Sequence, residues 1–269
     1  MSISIHPTSV VSSKAQLADG VIIGPFCTVS DETIIGENTR LISHIVIDGK
    51  VIIGKDNEIY PFVSIGLPPQ DTKYKGETDC YVSIGNNNIF RENMTVHRAS
   101  VSGDRVTEIG NNNFFMAYAH IAHDCKVGNN TILVNGATLG GHVLVEDYVV
   151  IGGLTPVHQF CRIGAHAMLG GGSSIANDVP PYVIAAGFRG QLYGLNVVGL
   201  RRRGFSKETI LALKKAYMII FQEHHLLKDA LNKVRNEVPQ IEEVKRLISF
   251  IETSKRGICR KLAPDPDEE

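Results

Sequence analysis

The chain carries a six-residue ruler. An aliphatic residue followed by Gly recurs at Ile23, Ile35, Ile53, Ile65, Ile84, Ile109, Val127, Leu139, Ile151, Ile163 and Leu169, and Val145 joins the series with Glu146 in place of Gly. The successive separations are 12, 18, 12, 19, 25, 18, 12, 6, 6, 12 and 6 residues. Nine of the eleven are multiples of six; the other two exceed a multiple by one, which predicts an insertion or bulge between Ile65 and Ile84 and another between Ile84 and Ile109. Two positions before each mark stands a small or β-branched residue: Val21, Thr33, Val51, Val63, Val82, Thr107, Cys125, Ala137, Val143, Val149, Cys161 and Ala167. The period-2 relation puts both members of each pair on the inward side of a short strand. A helix needs marks at three and four, and a meander needs frequent hairpin turns. A unit of one short strand and one corner builds a β-solenoid instead, three units closing a triangular coil. From about Ser4 to Pro180 the chain supplies roughly ten such coils.

This hexapeptide pattern resembles the left-handed parallel β-helix, a hand opposite to the usual crossover preference; the spacing itself is silent on hand. Tight corners suit a chain with 26 Gly and no Trp. The pattern stops near Asp178-Val179-Pro180-Pro181. Ser206 is placed to N-cap a helix from Lys207 to about Gln222, with Ile210, Leu213 and Tyr217 on one face. A second helix is expected around Leu226–Val238 and a third after Pro239, with Ile241, Val244, Ile248 and Ile251 at three- and four-residue spacing. The expected organisation is a mainly β chain: a parallel β-helix over residues 1–190, an α-helical C-terminal domain over 191–262, and an acidic, frayed tail over 263–269.

The formal net charge of −1 provides no global field to draw the chain onto nucleic acid or an acidic membrane. Met1 to Pro7 reads as no secretory signal, and no apolar run approaches a spanning length. The five cysteines, Cys27, Cys80, Cys125, Cys161 and Cys259, lack CxxC spacing, which argues against a disulfide framework or a cysteine zinc site and fits a reducing cytosol. No P-loop or dinucleotide fingerprint occurs, and no cofactor is expected. These features describe a soluble, cytoplasmic protein.

An eighteen-residue coil turns sequence offsets into columns. Ile109, Val127, Val145 and Ile163 are separated by 18 each, so residues eighteen apart in this stretch stack about 4.8 Å apart. Arg105, His123, Gly141 and Gln159 form one column, Asp124, His142 and Phe160 the next, and Ala122, Gly140 and His158 the one before. His120 lies three residues before His123. Histidines and a carboxylate thus gather on one corner, pointing outward because the narrow interior has no place for them. A neutral imidazole is a suitable base for an alcohol, with a neighbouring carboxylate to orient it. Gly141 beside His123 offers a backbone N–H uncrowded by a Cβ, an oxyanion donor. Base and oxyanion donor together suit acyl transfer without a Ser or Cys nucleophile. Cys125 occupies an inward slot and reads as structural. The bland alternative is a polar ladder lining a subunit contact. Between Ala185 and Lys215 stand seven basic residues and one acid, with Arg201-Arg202-Arg203 where solenoid meets helices. Such a patch suits a phosphate or an acidic partner, or else is a solvated linker.

The segments His120-Ile-Ala-His123-Asp124-Cys125, Leu139-Gly-Gly-His142-Val143, Val157-His158-Gln159-Phe160-Cys161 and Arg202-Arg203-Gly204-Phe205-Ser206 resemble the acyl-carrier-protein-dependent UDP-N-acetylglucosamine O-acyltransferase family, the first step of lipid A synthesis. The resemblance runs from His6-Pro7 to Arg256-Gly257. It implies His123 as the base toward the sugar 3-hydroxyl, Asp124 as its companion and Gly141 as donor to the thioester oxyanion. It further implies substrate contacts from Asp71, Lys73, His97, His120, His142, His158 and Gln159, nucleotide and phosphate contacts from Asn196, Arg202 and Arg203, and a limit on acyl length at Gly171. Its partners are UDP-N-acetylglucosamine and acyl carrier protein bearing an (R)-3-hydroxyacyl chain, and its assembly is a homotrimer with sites between subunits.

Val198 stands where many family members carry Glu, which leaves a 3-amino acceptor sugar open, and Gly170-Gly171-Gly172 leaves room for a long chain. Two other readings use the same residues. A γ-class carbonic anhydrase would hold zinc through His120, His123 and His142. A non-catalytic trimeric scaffold would use the histidines only to line a trimer contact. The glucosamine N-acyltransferase of the same pathway usually carries an extra N-terminal domain, whereas the repeats here start almost at residue 4.

Overall fold

A computed structural model describes residues 2–77 and 79–260, so the expected acidic tail at 263–269 lies outside the described residues. Three sheets of eleven, eight and eight strands form the faces of a triangular coil. Every strand pair is parallel except the last in the first sheet, and in the undisturbed coils partners are eighteen apart, as in Ile109 with Val127 and Ile121 with Leu139. All twelve marks and all twelve residues two positions before them are at most 3% exposed. Each aliphatic side chain removed from water in this column contributes about 1.5–3 kcal/mol, repeated coil after coil, so the ruler is the hydrophobic core itself.

The two irregular intervals are loops. Ile53 pairs with Ile84 and Ile84 with Ile109, steps of 31 and 25 in place of eighteen. Thirteen and seven residues are therefore inserted, each leaving a remainder of one against a six-residue count. The first loop connects Ser64–Leu67 to Tyr81–Ile84 and the second connects Thr95–His97 to Val106–Ile109. Both leave the second sheet and return on the third, so both emerge on one corner of the triangle.

Buried asparagines and a threonine form one ladder along the coil whose members satisfy one another. Asn57 Oδ1 accepts from Asn88, Asn88 Oδ1 from the Asn113 N–H, and Asn113 Oδ1 from the N–H and hydroxyl of Thr131. At the far end, Val183–Ala186 continues the first sheet and Gln191–Leu195 folds back on it antiparallel, covering the last edge. Helices α1 (Val197–Arg202), α2 (Lys207–Phe221), α3 (Leu227–Glu237) and α4 (Glu242–Glu252) follow. Ser206 caps α2, its side chain accepting from the Thr209 N–H, and Ile210, Leu213 and Tyr217 are buried. Helix α4 docks on the solenoid through Arg246–Glu146 at 2.8 Å and Arg162 over the Phe250 ring at 4.2 Å. Among the described residues no helix is long and apolar enough to cross a membrane.

Candidate active site

The corner between the second and third sheets holds His123, Asp124, Gly141, His142, Gln159 and Phe160. Asp124, His142 and Phe160 all have positive φ, at 60°, 60° and 65°, a conformation that costs a residue with a Cβ about 1–2 kcal/mol. Hydrogen bonds from coil to coil stabilise it: the His142 N–H donates to His123 O and the Phe160 N–H to Gly141 O, both at 3.0 Å. The imidazole of His142 stacks on Phe160 with centroids 4.5 Å apart and meets the His123 ring edge-on at 5.2 Å.

His123 Nδ1 lies 2.7 Å from Asp124 Oδ2. An ionised carboxylate only accepts, so Nδ1 carries the proton and Nε2 is left as the acceptor. Asp124 is 7% exposed. Burial works to raise its pKa, but hydrogen bonds from His123 and Ser100 outweigh that and hold the carboxyl below its ordinary range. Gly141 sits against the imidazole so closely that a Cβ would come 2.6 Å from Cε1 and 2.7 Å from Nε2. Among the described residues the Gly141 N–H makes no hydrogen bond. The Cys125 thiol is fully buried, donates to Gly140 O and is pushed up to about 12 by burial, which removes it as a nucleophile.

The two loops form the far wall. A cleft of about 490 Å³ is lined by Gln70, Asp71, Lys73, Tyr74 and Glu77 from the first, Ser100 to Ser102 from the second, and His123, His142, Gln159 and Phe160 from the coils. Asp71 Oδ1 accepts the Lys73 N–H at 2.9 Å and shapes the loop's own turn. Behind the cleft, His120 Nδ1 lies 2.7 Å from the Thr95 hydroxyl and its ring meets His97 edge-on at 5.0 Å. Burial pushes His120 down to about 4 and lowers His97, so both are neutral near pH 7. Burial likewise lowers His142, opposed in part by Asp124.

Not every expected residue joins this cleft. Arg105 leaves the column: it ends the second loop, outside the eighteen-residue run, and pairs with Asp79. His158 is exposed, its Nδ1 3.1 Å from Gln159 O. Gly171 lies at the corner between the first and second sheets, in an apolar groove of about 520 Å³ with Tyr118, Gly136, Gly153 and Leu154. Asn196 caps α1 and donates to His166 O, while Arg203 covers the Tyr148 ring at 4.7 Å on the remaining corner; Arg202 is exposed in α1. The zinc set His120, His123 and His142 does not form: among the described residues the converging donors are His123, Asp124 and His142, within 4.8 Å. The sequence reading missed Ser100 and Ser102, although counting both insertions modulo eighteen would have put that loop beside His123.

A hexapeptide coil bearing an oriented imidazole beside a free backbone N–H, with the neighbouring Cys125 thiol buried out of use, defines a transferase of the hexapeptide class. Residues 107–141 match the bacterial transferase hexapeptide family and residues 178–259 match Udp N-acetylglucosamine O-acyltransferase, domain 2. The acyl-[acyl-carrier-protein]–UDP-N-acetylglucosamine O-acyltransferase of Thermodesulfovibrio yellowstonii is 57% identical over 256 residues, 95% of this chain and 99% of that one. The structure of the Francisella novicida UDP-N-acetylglucosamine acyltransferase superposes with a TM-score of 0.93 at 40% identity, covering 98% of this chain and 95% of that one. That of Bacteroides fragilis gives 0.93 at 39%, covering 95% and 100%. The chain belongs to the acyl-[acyl-carrier-protein]–UDP-N-acetylglucosamine O-acyltransferase family, and its fold is the left-handed parallel β-helix with a helical C-terminus.

Proposed function

We propose that this enzyme moves an (R)-3-hydroxyacyl chain from the thioester of acyl carrier protein to the 3-hydroxyl of UDP-N-acetylglucosamine, in the cytoplasm, as the first step of lipid A biosynthesis. The observation that carries the mechanism is the His123–Asp124 contact at 2.7 Å, which leaves Nε2 as the proton acceptor. Nε2 takes the proton of the sugar hydroxyl as its oxygen attacks the thioester carbonyl. The carbonyl oxygen gains the negative charge beside the unpaired Gly141 N–H. Collapse breaks the carbon–sulfur bond, and the imidazolium returns its proton to the departing thiolate. No covalent enzyme intermediate forms. Asp71, Lys73, His97, His120, His142, His158 and Gln159 serve the sugar and its diphosphate, Asn196, Arg202 and Arg203 the nucleotide, and Gly171 the acyl chain.

The working form is a homotrimer. His123, Gly171 and Arg203 lie on three different corners of the triangular coil, so one chain cannot turn all three toward one substrate. A cyclic ring sets a corner of one copy against another corner of the next. The test is transfer of labelled (R)-3-hydroxymyristoyl groups from carrier protein to UDP-N-acetylglucosamine and to its 3-amino analogue. Ester formation supports the reading; exclusive amide formation moves the acceptor to the amino sugar; no transfer from any donor length contradicts it.

A further inference from the structure

We propose that Ser100, backed by Ser102, is a positioning residue that aims the Asp124 carboxylate at His123; the proposal rests on the acyl-transfer reading above. Ser100 belongs to the seven-residue insertion and is 5% exposed. It donates twice to Asp124 Oδ2, through its N–H at 3.0 Å and its hydroxyl at 2.7 Å. The same oxygen receives His123 Nδ1 at 2.7 Å. A hydroxyl has one proton, and that of Ser100 is committed to an acceptor-only carboxylate. The Ser102 hydroxyl, 2.7 Å from Ser100 Oγ, therefore donates to it. A file of donors runs from Ser102 at the surface through Ser100 to Asp124, with His123 on the other side of the carboxylate. Such files polarise one another in the direction of the charge.

The rest of the loop fits the same purpose. Asp124 Oδ1 is buried without a partner, and a Cβ on Gly103 would come 2.4 Å from it, so Gly103 leaves the space this oxygen needs. Thr107 Oγ1 accepts the Asp124 N–H at 2.9 Å and fixes the corner. A bare hexapeptide corner needs none of this; the coil closes without an insertion at every corner past Ile109. The titratable groups facing the pair are His142 from the next coil, 3.8 Å from Oδ2, His97 and His120 on the preceding coil and strand, Cys80, Cys125, and Asp71, Lys73, Tyr74 and Glu77 of the first loop across the cleft. None donates to Oδ2 as Ser100 does.

Removing the Ser100 hydroxyl releases the carboxylate's aim and concentrates its charge on the His123 imidazolium. Wild type, Ser100→Ala, Ser100→Thr and Ser102→Ala are compared by kcat, KM, the pH profile of kcat/KM and the unfolding midpoint. The expected result for Ser100→Ala is a fall in kcat of about ten- to a hundredfold with KM little changed. Its acid limb moves up by about half a pH unit. Ser100→Thr restores both, Ser102→Ala shows the same signs at about threefold, and the midpoints stay together. An unchanged kcat and acid limb in Ser100→Ala, or a loss that follows the unfolding midpoint with an unmoved limb, overturns the proposal while leaving acyl transfer intact. Inactivity of the wild type overturns both.

Discussion

A methyl group on Gly141 would sit 2.6 Å from His123 Cε1, closer than any real contact. Gly141→Ala must therefore displace the base or tilt the backbone N–H, and a displacement near 1 Å costs about a hundredfold in rate. The expected result is that loss in kcat with an unfolding midpoint close to wild type, read by steady-state kinetics and calorimetry. Asp124→Asn removes the charge that stabilises the imidazolium and allows the wrong tautomer, with an expected loss of at least about a hundredfold. A loss under threefold in either variant would move the chemistry elsewhere. The columns of His123, Gly141 and Gln159 and of Asp124, His142 and Phe160 were legible because the marks from Ile109 to Ile163 run without interruption. Arg105 was misplaced because it stands just before that run, where a loop breaks the correspondence between offset and position.

The elements explain what the ruler could not show. A count modulo six reports only the remainder of one, so it marks an insertion or bulge in each interval without showing that thirteen and seven residues are inserted, and their shared corner went unseen. Helix α1 was missed because it is a six-residue helix with Gly199 inside it and Arg at its end, too short for a period to show. The longer α2, α3 and α4 were legible from Ser206 and from apolar spacing. The Gly-Asn-Asn-Asn runs at 85–88 and 110–113 held a signal that was passed over: their last Asn builds the buried ladder. Asn113→Ala strands the Thr131 N–H and hydroxyl and the Gly128 carbonyl. Leaving such groups unpaired costs about 1–3 kcal/mol each, so its denaturant midpoint should fall well below that of Ser206→Ala, a cap loss of about 1 kcal/mol. Equal midpoints would mean the ladder is dispensable.

Across the whole molecule, one coil presents three unlike corners: an ionisable cleft, an apolar groove and a basic edge stacked with aromatics. That division was legible only in part, since a period assigns residues to a corner but says nothing of which corners meet. His120 behind the cleft and His166 on the basic edge are both pushed down to about 4, mainly by burial and, for His166, also by Arg203 and Arg246. Their folded-state values lie below the ordinary 6.5. The unfolded chain therefore takes protons first, and stability is full above pH 6.5 and lost as pH falls toward 4. The unfolding midpoint should drop across that window and drop less in His166→Phe; a flat profile would contradict the neutral assignment. The central claim is that His123 is the base in an assembled enzyme. Its most direct test is kcat/KM for transfer from (R)-3-hydroxymyristoyl carrier protein to UDP-N-acetylglucosamine in His123→Ala, with mass measured by light scattering. The account predicts loss of at least about a thousandfold in a variant that remains trimeric with an unchanged unfolding midpoint. Activity within tenfold of wild type, or activity lost only because the trimer falls apart, would contradict it.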